Sequence, residues 1–347
     1  MKLTSIQIIA IAVVAVVAVG AVAGYVVLAD DDNSDNSSDD SSTTSTYGTV
    51  EITTLDADKT SYTQTFTEVP DHVVVGCMTA LNMFLYFGLA DNIVGVYYAE
   101  EDPWSEVQDE YDALVERIGS DHVLTGNIQQ SVLTNWEPDL IVGWYSGYKD
   151  GGIGDHSYWN DLGCNLWALH SMSDNKTVDG MREDYENLGK IFDISDQTDA
   201  YMDSFDEKLT SLQGTLSDSS LSFAIYDDCN RESQGTYWFY GEKQFIGSVL
   251  AELGATNVFP SGGSVSAAVT YENVANIDVL FFVCYSSYTY DTYVSVWEGD
   301  STLCTAPAIV NGNTSSINLS VAYGGSPQII ETLDFLISVL SDSSTTS

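Results

Sequence analysis

Leu85-Tyr86-Phe87-Gly88-Leu89-Ala90-Asp91-Asn92-Ile93-Val94-Gly95-Val96 holds a helix end, a glycine stop and a strand within twelve residues. The helical pattern that runs from Thr79 ends at Gly88, and the short apolar run Ile93–Val96 follows as a strand. Upstream, Val73-Val74-Val75-Gly76 is an apolar run ending in glycine. Downstream, Val132, Leu133 and Trp136 suit a helix that stops at Pro138, and Leu140-Ile141-Val142-Gly143 is a further strand. Asn165–Leu169 is the next strand, followed by a long helix from Val178. Short apolar strands alternating with helices predict a parallel sheet covered on both faces.

The pattern then repeats. Ser195–Leu216 is charged and helical, with Tyr201, Phe205 and Leu209 at four-residue spacing. Strands are expected at Phe223–Tyr226, Asn257–Phe259 and Val279–Val283, with helices at Phe245–Leu253 and Ile329–Leu340. Thr49–Ile52 and Tyr62–Phe66 read as an entry hairpin. The expected architecture is two Rossmann-like α/β lobes, 47–194 and 217–340, joined by one long helix, 195–216, with a ligand cleft between them.

Residues 1–29 are a separate matter. No charge occurs from Leu3 to Ala29, a stretch that as a helix would reach ~40 Å and cross a bilayer. Lys2 on one side and Asp30, Asp31 and Asp32 on the other place the rest of the chain outside. A retained anchor is favoured over a cleaved signal peptide, because signal cores run about 7–15 residues. Ala21-Val22-Ala23 and Val27-Leu28-Ala29 are the alternative cleavage sites. Cys77 is the first cysteine, so no lipid-bearing cysteine precedes the folded part. Residues 30–46, almost all Asp, Asn, Ser and Thr, read as a disordered acidic tether, and 341–347 as a disordered tail. The sequons at Asn36, Asn175, Asn313 and Asn318 suit an extracytoplasmic, cell-surface location.

The chain carries 10 Lys+Arg against 51 Asp+Glu, a net charge of −41, which argues against nucleic acid and anionic lipid as partners. Five scattered cysteines (Cys77, Cys164, Cys229, Cys284, Cys304) contain no CxxC and read as buried free thiols, with a Cys229–Cys284 bridge as the alternative. No G-x-S-x-G elbow, H-E-x-x-H pair or P-loop occurs, so an enzyme is not expected, nor any resident cofactor or protein-held metal.

Four phrases in order resemble the class III periplasmic binding proteins, the helical-backbone group for cobalamin, ferric siderophores and haem. Val69-Pro70-Asp71-His72-Val73-Val74-Val75 is similar to that family's P-x-R-V-V opening, with His72 where arginine is usual. Leu85–Val96 resembles its G-L-x-D-x-I-V-G-V, and Glu137-Pro138-Asp139-Leu140-Ile141-Val142 its K-P-D-L-V-I. Gly241–Leu250 with Leu253–Phe259 resembles the second lobe's G-x-x-S and L-x-x-x-G-G-x-N-V-F. The resemblance spans about residues 48–340. It implies an ABC-importer substrate-binding protein that captures a metal chelate and delivers it to a permease with its ATPase. It also implies a docking glutamate on each lobe: Glu272 matches in the second, whereas Ser131 stands at the first-lobe position.

Ligands of α/β sheets sit beyond the strands' carboxyl ends, and the loops there are aromatic. The candidate ligand-binding residues are Tyr97, Tyr98, Trp104, Trp144, Tyr145, Tyr148 and His170 in the first lobe. In the second they are Tyr237, Trp238, Tyr240 and Tyr285. Such rings bury apolar area while their OH and NH groups meet a polar rim. Trp144 is the leading candidate: it stands directly after Gly143, where the cobalamin-binding members carry a similar A-W. Lys149, Arg231 and Lys243 lie on cleft-side loops and suit an anionic chelate. The alternatives are a free transition-metal binder and a surface adhesion or sensor domain of the same fold.

Overall fold

The computed structural model describes residues 47–173, 176–216, 221–227, 236–266 and 271–342. The anchor at 1–29, the tether at 30–46, Asn175, Cys229, Arg231 and the last five residues of the tail lie outside the described residues. Among the described residues no helix is long and apolar enough to cross a membrane.

The first strands, β1 (Val50–Leu55) and β2 (Ser61–Phe66), pair antiparallel from Val50↔Phe66 to Leu55↔Ser61. They precede β3 (Val73–Val75), α1 (Met78–Tyr86), β4 (Ile93–Val96), α2 (Gln108–Ile118), α3 (Gln130–Asn135), β5 (Leu140–Gly143), α4 (His156–Asp161), β6 (Asn165–Ala168) and α5 (Val178–Phe192). The four central strands form a parallel sheet in the order β4-β3-β5-β6. All three residues of β3 are fully buried, as expected of a strand covered on both faces. Strand order reverses between β3 and β5, which opens a crevice at their carboxyl ends.

A single long helix, α6 (Ser195–Leu212), leads out of this lobe. The second lobe contains β7 (Ser222–Tyr226), β8 (Thr236–Phe239), α7 (Phe245–Glu252), β9 (Thr256–Asn257), β10 (Gly263–Ser266), α8 (Tyr271–Val274) and β11 (Val279–Cys284). After these come α9 (Tyr290–Gly299), α10 (Pro307–Asn311), β12 (Thr314–Asn318), α11 (Leu319–Tyr323) and α12 (Ile329–Asp342). Its sheet runs β10-β8-β7-β11-β12, with β9 also paired to β7; β7, β9, β11 and β12 pair in parallel, and β8 pairs antiparallel with both β7 and β10. One face of this sheet rests on an aromatic core of Tyr226, Phe239, Phe282, Tyr293 and Trp297.

The lobes share more than α6. One continuous apolar core contains Leu81 and Phe84 of α1, Leu188 of α5, Phe205 of α6, Val249 of α7 and Leu333 and Leu336 of α12. Polar contacts reinforce it. Thr79 Oγ1 donates to the Ser320 carbonyl (2.9 Å), Tyr185 OH to that of Gly325 (2.9 Å) and Tyr201 OH to that of Pro327 (3.0 Å). Lys208 of α6 pairs with Asp334 of α12 at 2.5 Å. Opening the lobes would expose this core, so X-ray scattering profiles with and without ligand are expected to overlay. A marked compaction on binding would contradict that.

Candidate functional site

The carboxyl ends of both sheets face one cavity of about 730 Å³, within the roughly 300–1,000 Å³ common for small-molecule sites. From the first lobe, Cys77 and Met78 follow β3, Tyr97 and Tyr98 follow β4, Trp144 follows β5 and Met172 lies beyond β6. From the second, Asp227 follows β7, Tyr240 follows β8, Tyr285 follows β11, and Ser320 and Tyr323 come from α11 after β12.

Tyr97 is seated by glycines. Its ring lies against Gly76, where an added Cβ would sit 2.2 Å from the ring's Cζ. A Cβ on Gly143 would lie 3.1 Å from the hydroxyl. The residue is 3% exposed, lines the cavity, and its hydroxyl has no hydrogen-bond partner among the described residues. Burial raises the phenol's pKa, so it meets a ligand as a neutral O–H. Tyr98, at φ 56°, bonds through its hydroxyl to Asn127. Trp144 is half-buried, with its ring 4.8 Å from that of Tyr323 across the cleft. Behind Tyr323, Lys176 Nζ donates to the phenol oxygen at 2.6 Å and lies 4.0 Å from the ring centre. Burial, then the nearby Lys59 charge, lowers the Lys176 pKa to about 8.

Acidic residues line the cavity as well. Tyr240 OH donates to Asp227 Oδ2 at 2.8 Å and Tyr285 OH to Oδ1 at 3.2 Å. Glu101 accepts from Ser320 N (2.9 Å) and Ser320 Oγ (3.0 Å), tying the first-lobe loop to the second lobe. Burial pushes the Glu101 pKa up to about 8 against the two Ser320 hydrogen bonds, and burial raises that of neighbouring Glu100. A folded chain that holds a proton on Glu101 up to about pH 8, when the unfolded chain loses it near 4.5, binds more protons throughout that window. Stability therefore falls as pH rises across it. Asp184 is fully buried under the backbone N–H groups of His170 and Ser171. Burial raises its pKa from 3.8 to about 7, with the same sign. The ligand-free protein is expected to melt at a higher temperature at pH 5 than at pH 8, with a shallower slope in Glu101→Gln. Charge self-repulsion adds a background of the same sign, and equal slopes in the two proteins would remove Glu101 from the account.

The structure brings Tyr97, Tyr98, Trp144, Tyr240 and Tyr285 together around the cavity, and places Lys149 on its wall. The other sequence candidates need correction. Trp104 is buried away from the cavity, stacked on Tyr86 at 5.6 Å, with Nε1 donating to Glu331 of α12 at 3.1 Å. Tyr148 is 1% exposed, and its hydroxyl donates to the Trp167 carbonyl at 2.9 Å. Tyr145 points elsewhere, its ring 5.4 Å from Lys59 Nζ. His170, 4% exposed, turns toward β1 and α5, with Nε2 3.1 Å from the Thr53 carbonyl and 3.3 Å from Glu183. Tyr237 and Trp238 belong to β8, not to a loop: Tyr237 packs on the aromatic core beside Tyr226, and Trp238 on the shared core. Lys243 is exposed and outside the cavity lining. Glu272 lies in the one-turn helix α8 and Ser131 is exposed on α3. Cys77, Cys164, Cys284 and Cys304 are free thiols, two of them buried. Sequence reasoning missed Glu100, Glu101, Asp227 and Tyr323.

No family model matches the sequence, and no curated protein does. Solved structures do. A periplasmic binding protein from Veillonella parvula superposes with a TM-score of 0.69 at 18% identity, over 84% of this chain and 91% of its own. The fold is that of the periplasmic binding proteins. An ABC-type Fe3+-hydroxamate transport system structure from Saccharomonospora viridis gives 0.65 at 17% identity, over 83% and 98%. The molybdate periplasmic binding protein MolA from Haemophilus influenzae gives 0.60 at 16%, over 84% and 91%. In this periplasmic-binding-protein fold the cavity lies between the two lobes, with the ends of both parallel sheets around it.

Proposed function

We propose that this chain is the extracytoplasmic solute-binding protein of an ABC importer, held at the cell surface by its N-terminal helix. It captures a metal chelate, a ferric siderophore, cobalamin or haem, and passes it to a permease driven by its ATPase. It acts as a binder and not as an enzyme. Glu272 is the residue proposed to dock on the permease. The carrying observation is the aromatic-walled cavity between the lobes, lined by Tyr97, Tyr98, Trp144, Tyr240, Tyr285 and Tyr323. Rings of this kind bury a large chelate at ~25 cal/mol per Å² of apolar area while their hydroxyls meet its polar edge. The Saccharomonospora viridis neighbour, named for Fe3+-hydroxamate transport, supports the ferric-siderophore form of this reading.

A free-ion binder needs a cage of converging donors, and among the described residues no group of three or more His, Cys, Asp or Glu forms one. An adhesion or sensor domain would leave the aromatic walls without a role. The test is native mass spectrometry and absorbance after incubation with cobalamin, haem and ferric siderophores, together with thermal shift. A bound chelate raises stability by RT ln(1 + [L]/Kd). Retention of one of them at one per chain is expected; retention of none refutes the chelate reading.

A further inference from the structure

Beside its aromatic rings, the cavity wall carries sulfur. Cys77, Met78 and Met172 all line it, each almost wholly buried. Cys77 Sγ donates to Met172 Sδ at 3.8 Å, which joins a residue just after β3 to one beyond β6. Cys77 caps the start of α1, where the positive end of the helix dipole favours an anionic sulfur. Met172 is fixed by the second lobe: a Cβ on Gly324 would lie 2.6 Å from its Cγ and 3.2 Å from its Sδ. The thioether thus packs on bare backbone and has little freedom to turn away. Tyr97, whose buried hydroxyl has no partner among the described residues, stands near this pair. Burial first, and then charge on the Cys77 sulfur, raises the phenol's pKa.

We infer that Cys77 and Met172 form a site for a soft monovalent cation, with Cu(I) as the biological example, on the wall of the inter-lobe cavity. With metal–sulfur bonds of about 2.3 Å, sulfurs 3.8 Å apart subtend an angle of about 110° at the metal. That angle leaves room for a third ligand, and Met78 lines the same cavity. Thiolate and thioether are the donors that select Cu(I). A hard or borderline ion wants several nitrogen or oxygen donors, and among the described residues no group of three or more His, Cys, Asp or Glu supplies them. Charge points the same way. One thiolate balances one positive charge, so a monovalent ion and the sulfur pair together are neutral, whereas Zn2+ on the same two sulfurs leaves a buried positive charge. On binding, the Cys77 S–H bond breaks, its proton leaves to solvent and a sulfur–metal bond forms, with no change in oxidation state. The −41 charge of the chain draws cations toward the protein in general; the sulfur pair chooses among them.

The test uses the full chain and metal ions alone: Cu(I) under a reductant, Ag(I) as its air-stable stand-in, and Zn2+. Binding is measured by competition with a chromogenic Cu(I) chelator and by native mass spectrometry. One tightly held Cu(I) or Ag(I) per chain is expected, with Zn2+ not retained. Cys77→Ser should abolish the tight site. Met172→Leu, which conserves volume, should weaken it by at least the ~10–100-fold that losing a mere outer-shell partner costs. That variant separates a two-sulfur site from a thiol acting alone, since Cys164, Cys284 and Cys304 are also free. X-ray absorption of the Cu(I)-loaded wild type gives a readout that needs no variant: two or more sulfur neighbours at about 2.3 Å. Tight binding that survives Cys77→Ser, unchanged affinity in Met172→Leu, equal retention of Zn2+, or a copper shell with a single sulfur each overturns the inference. No chelate is present in these measurements, so the importer reading stands or falls separately.

Discussion

Gly76→Ala is expected to abolish chelate binding. The new methyl carbon would be placed 2.2 Å from Cζ of Tyr97 and 2.6 Å from its Cε1, far inside contact distance. The obstacle is a ring clamped by neighbours, not the free end of a flexible chain. Its backbone N–H is held by the Val75 carbonyl at 2.9 Å, and its hydroxyl end also lies close to Gly143, beside Gly76. The ring lines the cavity, and displacing it there fills the ligand's space. Overpacking of this sort costs about 1–3 kcal/mol of stability, so the melting temperature should fall as well. The double variant Gly76→Ala/Tyr97→Ala separates the two effects: it should recover much of the lost stability and none of the affinity. A single Gly76→Ala variant that binds normally would mean that Tyr97 does not shape the site.

Trp144→Ala is expected to weaken ligand binding by ~1–3 kcal/mol, roughly tenfold to hundredfold, the range for truncating a large ring at a recognition site. Trp144 follows β5 at the point where strand order reverses, and Gly143 before it keeps the turn clear of Tyr97. Its contact with Tyr323 crosses the cleft, so some stability should be lost without ligand too. Affinity and apo melting temperature therefore belong on the same variant. A lower melting temperature with unchanged affinity would assign the ring to lobe packing alone.

The parallel strands β3, β4, β5, β7 and β11 were legible because buried strands are continuous apolar runs closed by glycine or a polar residue. β12 was not. Its Thr314-Ser315-Ser316-Ile317-Asn318 carries a single fully buried apolar residue and takes its register from β11, a partner that local pattern cannot reveal. β8 was hidden for the opposite reason. Thr-Tyr-Trp-Phe is strand-forming composition, but its rings invited a reading as binding residues. The site was half legible. Position after a strand end places a residue near the cleft without fixing which way its side chain turns. Tyr97 and Trp144 turn toward the cavity, while Tyr148 and His170, equally well placed, turn to backbone carbonyls inside their own lobe. Glu101 and Asp227 were lost among 51 acids, where no single carboxylate stands out until its neighbours are known.

The return of α11 and α12 onto the first lobe constrains the order in which the polypeptide can assemble. Thr79 and Asn82 of α1 wait for Ser320 and Ser326, more than two hundred residues later, and Tyr185 and Tyr201 wait for Gly325 and Pro327. The apolar face of α1 is completed by the same late segment. A nascent chain stopped before α11 thus holds a finished sheet with an open flank. Contacts at such separation are slow to close and leave sticky surface exposed meanwhile. Synthesis from the amino end cannot deliver the lobes one at a time; the last helix is the keystone of the first lobe.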